Sequence, residues 1–208
     1  MPDRLRLVIA TTNSGKMAEF RALLALRDME LLALTDFPPM PEVDESASSY
    51  ADNARLKAHA AAAHTRLPAL ADDSGLEVDA LDGAPGVRSA RYAADGGRGR
   101  GDTANTALLL ERMRDVADGR RTARFRCLIV VATPEGRELI ASGTCEGQIA
   151  HEPRGIHGFG YDPVFYDPAS AATFAELPPA RKHAISHRAR ACDALRSHLI
   201  DFLLSPKP

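Results

Sequence analysis

Short runs of aliphatic residues alternate with longer amphipathic segments along the 208-residue chain. Residues 5–11 form one such aliphatic run, which predicts a buried strand. Residues 16–26 repeat apolar side chains at helical spacing, and residues 12–15 between the two segments favour turns and helix caps. The chain therefore begins with a predicted strand, a polar loop and a helix.

The same two patterns recur to the end of the chain and define the other predicted elements. Strands are predicted at 29–34, 69–71, 76–78, 123–132 and 137–145, and helices at 49–64, 103–116 and 187–204. Residues 133–136 favour a turn, so the last two strands are expected to pair as an antiparallel hairpin. Interleaved strands and helices favour an α/β fold with a central mixed sheet, and the uniform composition predicts one domain over residues 1–208.

The charge and hydropathy of the chain argue against several classes of partner. Its 26 Lys and Arg against 28 Asp and Glu give a net charge of −2, and this balance disfavours a nucleic-acid binder. No segment approaches the roughly 20 apolar residues that a membrane span needs, so no membrane partner is expected. Three cysteines, an odd number without a C-x-x-C pair, favour a reduced, cytoplasmic protein.

The polar loop after the first predicted strand is a candidate phosphate-binding site. Residues 11–16 read Thr-Thr-Asn-Ser-Gly-Lys, and such a loop directs backbone N–H groups and the positive end of a helix toward a phosphate. Lys16 adds a formal charge, although a helix cap followed by a surface lysine fits the same residues. A P-loop is excluded, because its first glycine is missing and Met17 stands where a Mg²⁺-binding Ser or Thr is needed.

Carboxylates in two segments are candidate metal ligands. Asp72 and Asp73 follow an apolar run, and we expect them in a loop at the carboxyl edge of the sheet, suited to holding Mg²⁺ beside a phosphate. An Asx-turn that closes the strand is the alternative. Asp44 or Glu45 is a candidate for the second carboxylate, unless both only favour the start of the following helix.

Two segments nearer the carboxyl end carry candidate base-binding residues. The GFGYDP segment combines two glycines, which permit close approach to a ligand, with the rings of Phe159 and Tyr161, which can stack on a base. A Gly/Pro turn with core aromatic residues fits that segment equally well. Further along, Ser186 is expected to cap the last helix, which places His187 and Arg188 in its first turn as hydrogen-bond donors.

Together these segments resemble one known family. The blocks ATTNSGK, YADNARLKA, ADDSGLEVDAL, GAPGVRSARY, ARFRC, GFGYDPVF and ISHR are similar, in this order, to those of the inosine triphosphate pyrophosphatases, also called dITP/XTP pyrophosphatases. The resemblance implies an elongated mixed α/β fold with a substrate cleft between two lobes, a homodimer and dependence on Mg²⁺. It also implies hydrolysis of the purine nucleoside triphosphates ITP, dITP and XTP to monophosphate and pyrophosphate.

The resemblance assigns roles to individual residues of this chain. The proton acceptor, which is also a metal ligand, falls on Asp73, and the second metal ligand falls on Glu45, with Asp44 as the competing alignment. Substrate contacts fall on Ser74, on the phosphate loop Thr11, Thr12, Asn13, Ser14, Gly15 and Lys16, and on the base-binding residues Phe159, Gly160, Tyr161, Asp162, Lys182, His187 and Arg188.

These assignments lead to a hypothesis for reaction and selectivity. Asp73, alone or through Asp72, deprotonates the water that attacks the α-phosphorus, while Lys16 and Lys57 clamp the phosphates. Selectivity is expected at the 6-position of the purine. A carbonyl there accepts hydrogen bonds from donors of the last helix and nearby backbone N–H groups, whereas the amino group of adenine faces them donor to donor.

Overall fold

A computed structural model describes residues 4–44 and 47–205 of the chain. The strands are β1 (Leu5–Ile9), β2 (Met29–Ala33), β3 (Ala69–Val78), β4 (Thr122–Ala132), β5 (Glu138–Ile149), β6 (Phe165–Asp167) and β7 (Ala172–Thr173). The α-helices are α1 (Ser14–Leu23), α2 (Tyr50–Thr65), α3 (Tyr92–Asp95), α4 (Asp102–Arg112), α5 (Pro179–Ile185) and α6 (His187–Leu204). None of the helices in the described part of the chain is long and apolar enough to cross a membrane.

The strands form one mixed sheet, as the sequence predicted. Their order is β2-β1-β3-β4-β5-β6-β7. Strand β1 runs parallel to β2 and β3, whereas β6 runs antiparallel to β5 and β7. The predicted hairpin is confirmed, because β4 and β5 are neighbours and the N–H of Thr133 donates to the carbonyl of Arg137 at 3.0 Å in the turn between them.

The chain divides into two compact units, each with its own core. Unit 1 comprises Met1–Asp73, Cys127–Gly143 and Arg188–Pro208, and unit 2 comprises Ser74–Arg126 and Thr144–His187. The predicted single domain over 1–208 and the predicted cleft stay predictions.

Unit 1 is layered, with helices on both faces of its strands. Leu7 and Ile9 of β1 join a cluster with side chains of α1 and α6, whereas the alternate residue Val8 joins a cluster with α2. This alternation is what the period of two along a strand requires. The side of α2 that packs there consists of alanines, Ala54, Ala58, Ala61 and Ala62, which allow the helix to lie close to the sheet.

Unit 2 has an aromatic core. Phe125 lies 4.5 Å from Phe165 and 5.9 Å from Phe174 between ring centroids, and the latter two rings meet edge to face at 4.8 Å. Buried aliphatic side chains of β3 and α4, among them Leu76 and Leu109, complete this cluster. Such offset and tilted pairs add to the area buried and fix the orientation of the rings.

The aspartate pair lies inside β3 rather than in a loop after a strand. The sequence predicted strands at 69–71 and 76–78 with a loop between them, and that prediction is wrong, because β3 is continuous from Ala69 to Val78. Buried carboxylates within a strand are costly unless their charge is compensated. The compensating groups come from three helices that are distant in sequence, and a local pattern does not reveal them.

Candidate active site

Helix α1 begins in the predicted phosphate loop. Asn13 is its N-cap residue, and its side-chain oxygen accepts a hydrogen bond from the N–H of Lys16 at 2.9 Å. Thr11 supports the loop by accepting from the N–H of Asn13 at 3.2 Å. The described residues provide no acceptor for the N–H groups of Ser14 and Gly15. The loop is therefore both a helix cap and a potential anion-binding site.

Asp72 is the buried centre of a charge cluster in unit 1. Its Oδ2 lies 3.0 Å from Nζ of Lys16 and 3.1 Å from a guanidinium nitrogen of Arg188. Burial raises the pKa of Asp72, but the positive charges of Lys16, Arg188 and Lys57 outweigh burial and hold the pKa well below its ordinary value. Asp72 therefore stays an anion at neutral pH, and its contacts hold two cations in place.

Glu19 belongs to the same cluster, and the sequence analysis missed it. This buried residue of α1 accepts a hydrogen bond from Arg188. A signal was present, because Glu19 lies three residues after Lys16 and so shares its helix face. Burial lowers the pKa of Arg188, but the carboxylates of Asp72 and Glu19 outweigh it and raise that pKa. The guanidinium is thus held by two carboxylates, and its predicted contact with the base stays a prediction.

Asp73 has fewer compensating partners than Asp72. Its Oδ2 accepts a hydrogen bond from Nδ2 of Asn53 at 3.0 Å, and its Oδ1 lies 3.6 Å from Nζ of Lys57. Burial raises the pKa of Asp73, and Lys57 and Asn53 offset this effect only in part, so that the pKa stays above its ordinary value. A carboxylate with a raised pKa is a better proton acceptor than an ordinary aspartate.

The predicted metal site is only partly covered by the described residues. Glu45 lies outside them, and the competing Asp44 is exposed. The described residues contain no group of three or more His, Cys, Asp or Glu side chains placed to hold a metal ion. Asp73 still fits Mg²⁺, which prefers oxygen donors and is commonly held by one or two carboxylates plus substrate phosphates. The residues fit a metal whose coordination the substrate completes.

In unit 2 a buried ion pair holds the predicted base-binding loop. Nζ of Lys182 lies 2.5 Å from Oδ2 of Asp162, and the same oxygen accepts from the N–H of Phe159 at 2.8 Å. A Cβ at Gly158 would lie 2.0 Å from this oxygen, so only glycine fits there. The Lys182 ammonium also lies 4.9 Å from the ring centroid of Phe159. The turn and the ion pair therefore form one structure.

The two aromatic residues of this loop have different surroundings. The ring of Tyr161 is buried, and its hydroxyl donates to the carbonyl of Ser89 at 2.9 Å. Phe159 is half-buried. Tyr161 is therefore a core residue, which matches the core alternative for that ring, whereas Phe159 retains exposed surface.

His187 also has an aromatic neighbour. Its ring stacks on Phe125 with 4.6 Å between centroids and an interplanar angle of 17°. Ser186 lies in extended backbone directly before α6, as expected for the predicted cap, and His187 is the first residue of that helix. The position of the imidazole is thus fixed by the start of a helix and by the face of a ring.

The predicted site residues fall into two groups, one in each unit. Unit 1 contains Thr11, Thr12, Asn13, Ser14, Gly15, Lys16, Lys57, Asp73 and Arg188. Unit 2 contains Ser74, Phe159, Gly160, Tyr161, Asp162, Lys182 and His187. The first group carries most of the charge, and the second carries the aromatic rings.

Comparison with known proteins identifies the family. A model of the Ham1 family matches residues 7–198. The dITP/XTP pyrophosphatase of Geobacillus kaustophilus is 51% identical over 189 residues, covering 91% of both chains, and that of Exiguobacterium sibiricum is 48% identical over 96% of this chain and 99% of its own.

Solved structures agree with the sequence matches. A HAM1 protein from Coxiella burnetii has a TM-score of 0.84 and 43% identity over 95% of this chain and 99% of its own. A nucleoside-triphosphatase, or dITP/XTP pyrophosphatase, from Mycobacterium abscessus has a TM-score of 0.72 and 46% identity over 92% of this chain and 98% of its own. The chain therefore belongs to the Ham1 family.

Proposed function

We propose that the protein hydrolyses the deaminated purine nucleoside triphosphates ITP, dITP and XTP to nucleoside monophosphate and pyrophosphate, and so removes them from the nucleotide pool. The names of its relatives support this reaction. The observation that carries it is Asp73, a carboxylate with a raised pKa that lies in one charge cluster with Lys16 and Lys57.

The chemical step assigns a role to each member of this cluster. Asp73 takes a proton from a water molecule, whose oxygen attacks the α-phosphorus. The bond between the α-phosphorus and the bridging oxygen breaks, and pyrophosphate leaves with the electron pair. Lys16 and Lys57 stabilise the negative charge of the phosphates, together with the free N–H groups at the start of α1. Asp72, which is buried, orients Lys16 through their ion pair.

A magnesium ion is part of this proposal. Asp73, with Glu45 or Asp44, would hold it through carboxylate oxygens. Bound there, Mg²⁺ supplies positive charge that neutralises the phosphate oxygens and the departing pyrophosphate. Because three carboxylates of the cluster already face three cations, an added tetraanionic substrate needs further positive charge, which supports the requirement for a metal.

Base selectivity is assigned to unit 2. Phe159 has exposed surface for stacking, and His187 lies with its ring fixed on Phe125. A purine with a 6-carbonyl can accept a hydrogen bond from a donor such as His187, whereas adenine presents an amino group that is itself a donor. Leaving buried donors without acceptors is costly, and mismatches of this type reach roughly 10⁴-fold.

Assembly and location complete the proposal. We assign the protein to the cytoplasm, because its three cysteines, Cys127, Cys145 and Cys192, are all buried free thiols. Burial raises the pKa of Cys192 to about 12, so this thiol is unreactive. A homodimer is proposed on the resemblance alone.

A substrate panel tests the function directly. Pyrophosphate release is measured with Mg²⁺ and ITP, XTP, dITP, ATP or GTP, and each assay is repeated with EDTA. We expect fast, EDTA-sensitive release from ITP, XTP and dITP and little from ATP or GTP. Equal cleavage of all five nucleotides contradicts the selectivity, and cleavage of none contradicts the activity.

A further inference from the structure

The first turns of α4 contact the centre of the predicted base-binding loop. Oδ2 of Asp102, the first residue of α4, accepts a hydrogen bond from the N–H of Gly160 at 2.6 Å. One helical turn later, the hydroxyl of Thr106 donates to the carbonyl of Gly160 at 3.5 Å. Residues four apart share a helix face, so one face of α4 contacts both polar groups of this glycine.

The N–H of Gly160 has a partner outside the loop, unlike the N–H groups of Phe159 and Asp162. The N–H of Phe159 is bonded to the carboxylate of Asp162, and the N–H of Asp162 to the carbonyl of Phe159, so both of these bonds are internal. Among the described residues, Asp102 and Thr106 are the ones that hold Gly160 from outside the loop. A bond to a carboxylate is charge-assisted and stronger than a neutral one.

Helix α4 is a firm support for this contact. Its buried Asn105 accepts from the N–H of Ala93 at 2.8 Å and donates to the carbonyl of Ala90 at 3.2 Å. The neighbouring residue Ser89 accepts the hydroxyl of Tyr161 through its carbonyl. The same helix therefore fixes residues 89–93, the side chain of Tyr161 and the backbone of Gly160, and all of these groups belong to unit 2.

Gly160 needs such a support because of its backbone conformation. Its φ is +62°, and glycine adopts either sign of φ at little cost, so the peptide unit that precedes it can rotate. Rotation would break the hydrogen bond between the N–H of Asp162 and the carbonyl of Phe159 and would displace Phe159. The carboxylate of Asp102 accepts only a hydrogen bond, and so it selects the orientation in which the N–H points toward α4.

We propose that Asp102 is a positioning residue that holds the base-binding loop in its substrate-binding shape through Gly160. This inference rests on the proposed function, since it assumes that the loop containing Phe159 and Asp162 receives the purine. Loss of the carboxylate allows the peptide to rotate, so Phe159, which precedes Gly160, is no longer fixed for a base to stack on it. Binding of the nucleotide then weakens, while the chemical step on bound substrate is unaffected.

The kinetic test compares Asp102→Ala and Asp102→Asn with Asp95→Ala. Asp95 is the matched control, because it is a nearby exposed carboxylate of unit 2 whose partners are Arg88 and Arg91. For Asp102→Ala we expect KM for dITP to rise about tenfold, as for loss of a charge-assisted hydrogen bond, with kcat within about twofold of wild type. Asp102→Asn, which retains an acceptor oxygen, should recover part of this loss.

Two kinetic outcomes would overturn the proposal. One is an Asp102→Ala enzyme with the KM of Asp95→Ala. The other is a fall in kcat with an unchanged KM. Melting temperatures of the three variants show whether partial unfolding contributes to the change in KM.

Amide hydrogen exchange separates this inference from the proposed function. In wild type, the N–H of Gly160 should exchange slowly and should exchange about tenfold faster in Asp102→Ala, but not in Asp95→Ala. If wild type cleaves no triphosphate, the proposed function fails, and the exchange rates still decide whether Asp102 fixes the loop. Unchanged exchange of Gly160 in Asp102→Ala refutes the contact and the inference with it.

Discussion

The two units bury charge in different ways. In unit 1 the cluster has a deep part and a rim, because the side chains of Asp72 and Arg188 are 1% and 2% exposed, whereas those of Lys16 and Lys57 are 18% and 15% exposed. In unit 2 both members of the Lys182–Asp162 pair are deep, at 6% and 3%. Of these two sites, the one in unit 1 therefore has partly exposed cations beside a buried carboxylate.

This difference separates chemistry from recognition. A lysine at the rim of unit 1 can turn from a carboxylate to a phosphate, since its side chain is partly exposed. Lys182 cannot leave Asp162 without leaving a carboxylate buried and uncompensated, which is costly. We infer that unit 1 binds and cleaves the phosphates, while the ion pair of unit 2 maintains the shape of the base-binding loop. The following predictions test this contrast.

The largest effect is expected on turnover when Asp73 is replaced. Asp73→Asn keeps the size of the side chain and an acceptor for Asn53, but it removes the proton acceptor. Because general base catalysis contributes about 10²–10⁴-fold, kcat for dITP should fall by about 10³-fold. The measurement is pyrophosphate release at saturating dITP and Mg²⁺.

The matched control is Asp193→Asn, which removes a carboxylate from an exposed surface pair of unit 1 with Arg196. Its kcat should equal that of wild type. If Asp73→Asn retains more than about a tenth of the wild-type kcat, the base is another group.

The next largest effect is a change in stability, and its sign should differ between the two adjacent aspartates. Asp72→Asn breaks a buried cluster and leaves Arg188 and Lys16 undercompensated, so the free energy of unfolding should fall by about 3 kcal/mol. For a chain of this size that is a drop in Tm of about 6–12 °C. Asp73→Asn should raise Tm in EDTA, because a folded-state pKa above the ordinary value means that folding disfavours the charged form.

Thermal unfolding of both variants at neutral pH in EDTA decides this point. Shifts of the same sign would show that the two carboxylates have equivalent surroundings and would contradict the division into a deep part and a rim.

A smaller and different effect is expected in unit 2. Lys182→Met removes the partner of Asp162 and loosens the loop, so KM for dITP should rise by about tenfold with kcat nearly unchanged. Lys16→Met in unit 1 should instead lower kcat, because its charge acts on the phosphates during reaction. Steady-state kinetics of the two variants with dITP measures this split.

A double variant controls for instability of Lys182→Met. Lys182→Met combined with Asp162→Asn removes both charges and retains an acceptor for the N–H of Phe159, so it should recover part of the lost Tm. Equal losses of kcat in Lys16→Met and Lys182→Met would erase the contrast between the units.

Local patterns predicted the longer elements, whereas the partners of the buried charges needed the structure. Helix α6 begins and ends at the predicted residues 187 and 204, and β4 begins one residue before the predicted 123. The prediction that Asp72 and Asp73 lie in a loop was wrong, because both lie inside β3. The groups that permit carboxylates there include Lys16 and Arg188, which are far away in sequence. Short elements such as α5 lack enough residues to show a period.

The smallest effect is a shift in pH dependence, and it sharpens the comparison of the two aspartates. The ordinary pKa of aspartate is about 3.9. The acid limb of kcat/KM should lie above that value, because burial raises the pKa of Asp73 and activity appears as pH rises through it. The two aspartates affect stability in opposite pH ranges. Because its folded pKa is lowered, Asp72 stabilises the fold above pH ~3.9, and this stabilisation is lost as pH falls through the folded pKa. Because its folded pKa is raised, Asp73 stabilises the fold below pH ~3.9, and this stabilisation is lost as pH rises through the folded pKa. In Asp72→Asn the acid limb should persist and move to lower pH, because the negative charge of Asp72 contributes to the raised pKa of Asp73. A limb at or below pH ~3.9 in wild type would contradict the role of Asp73 as a tuned base.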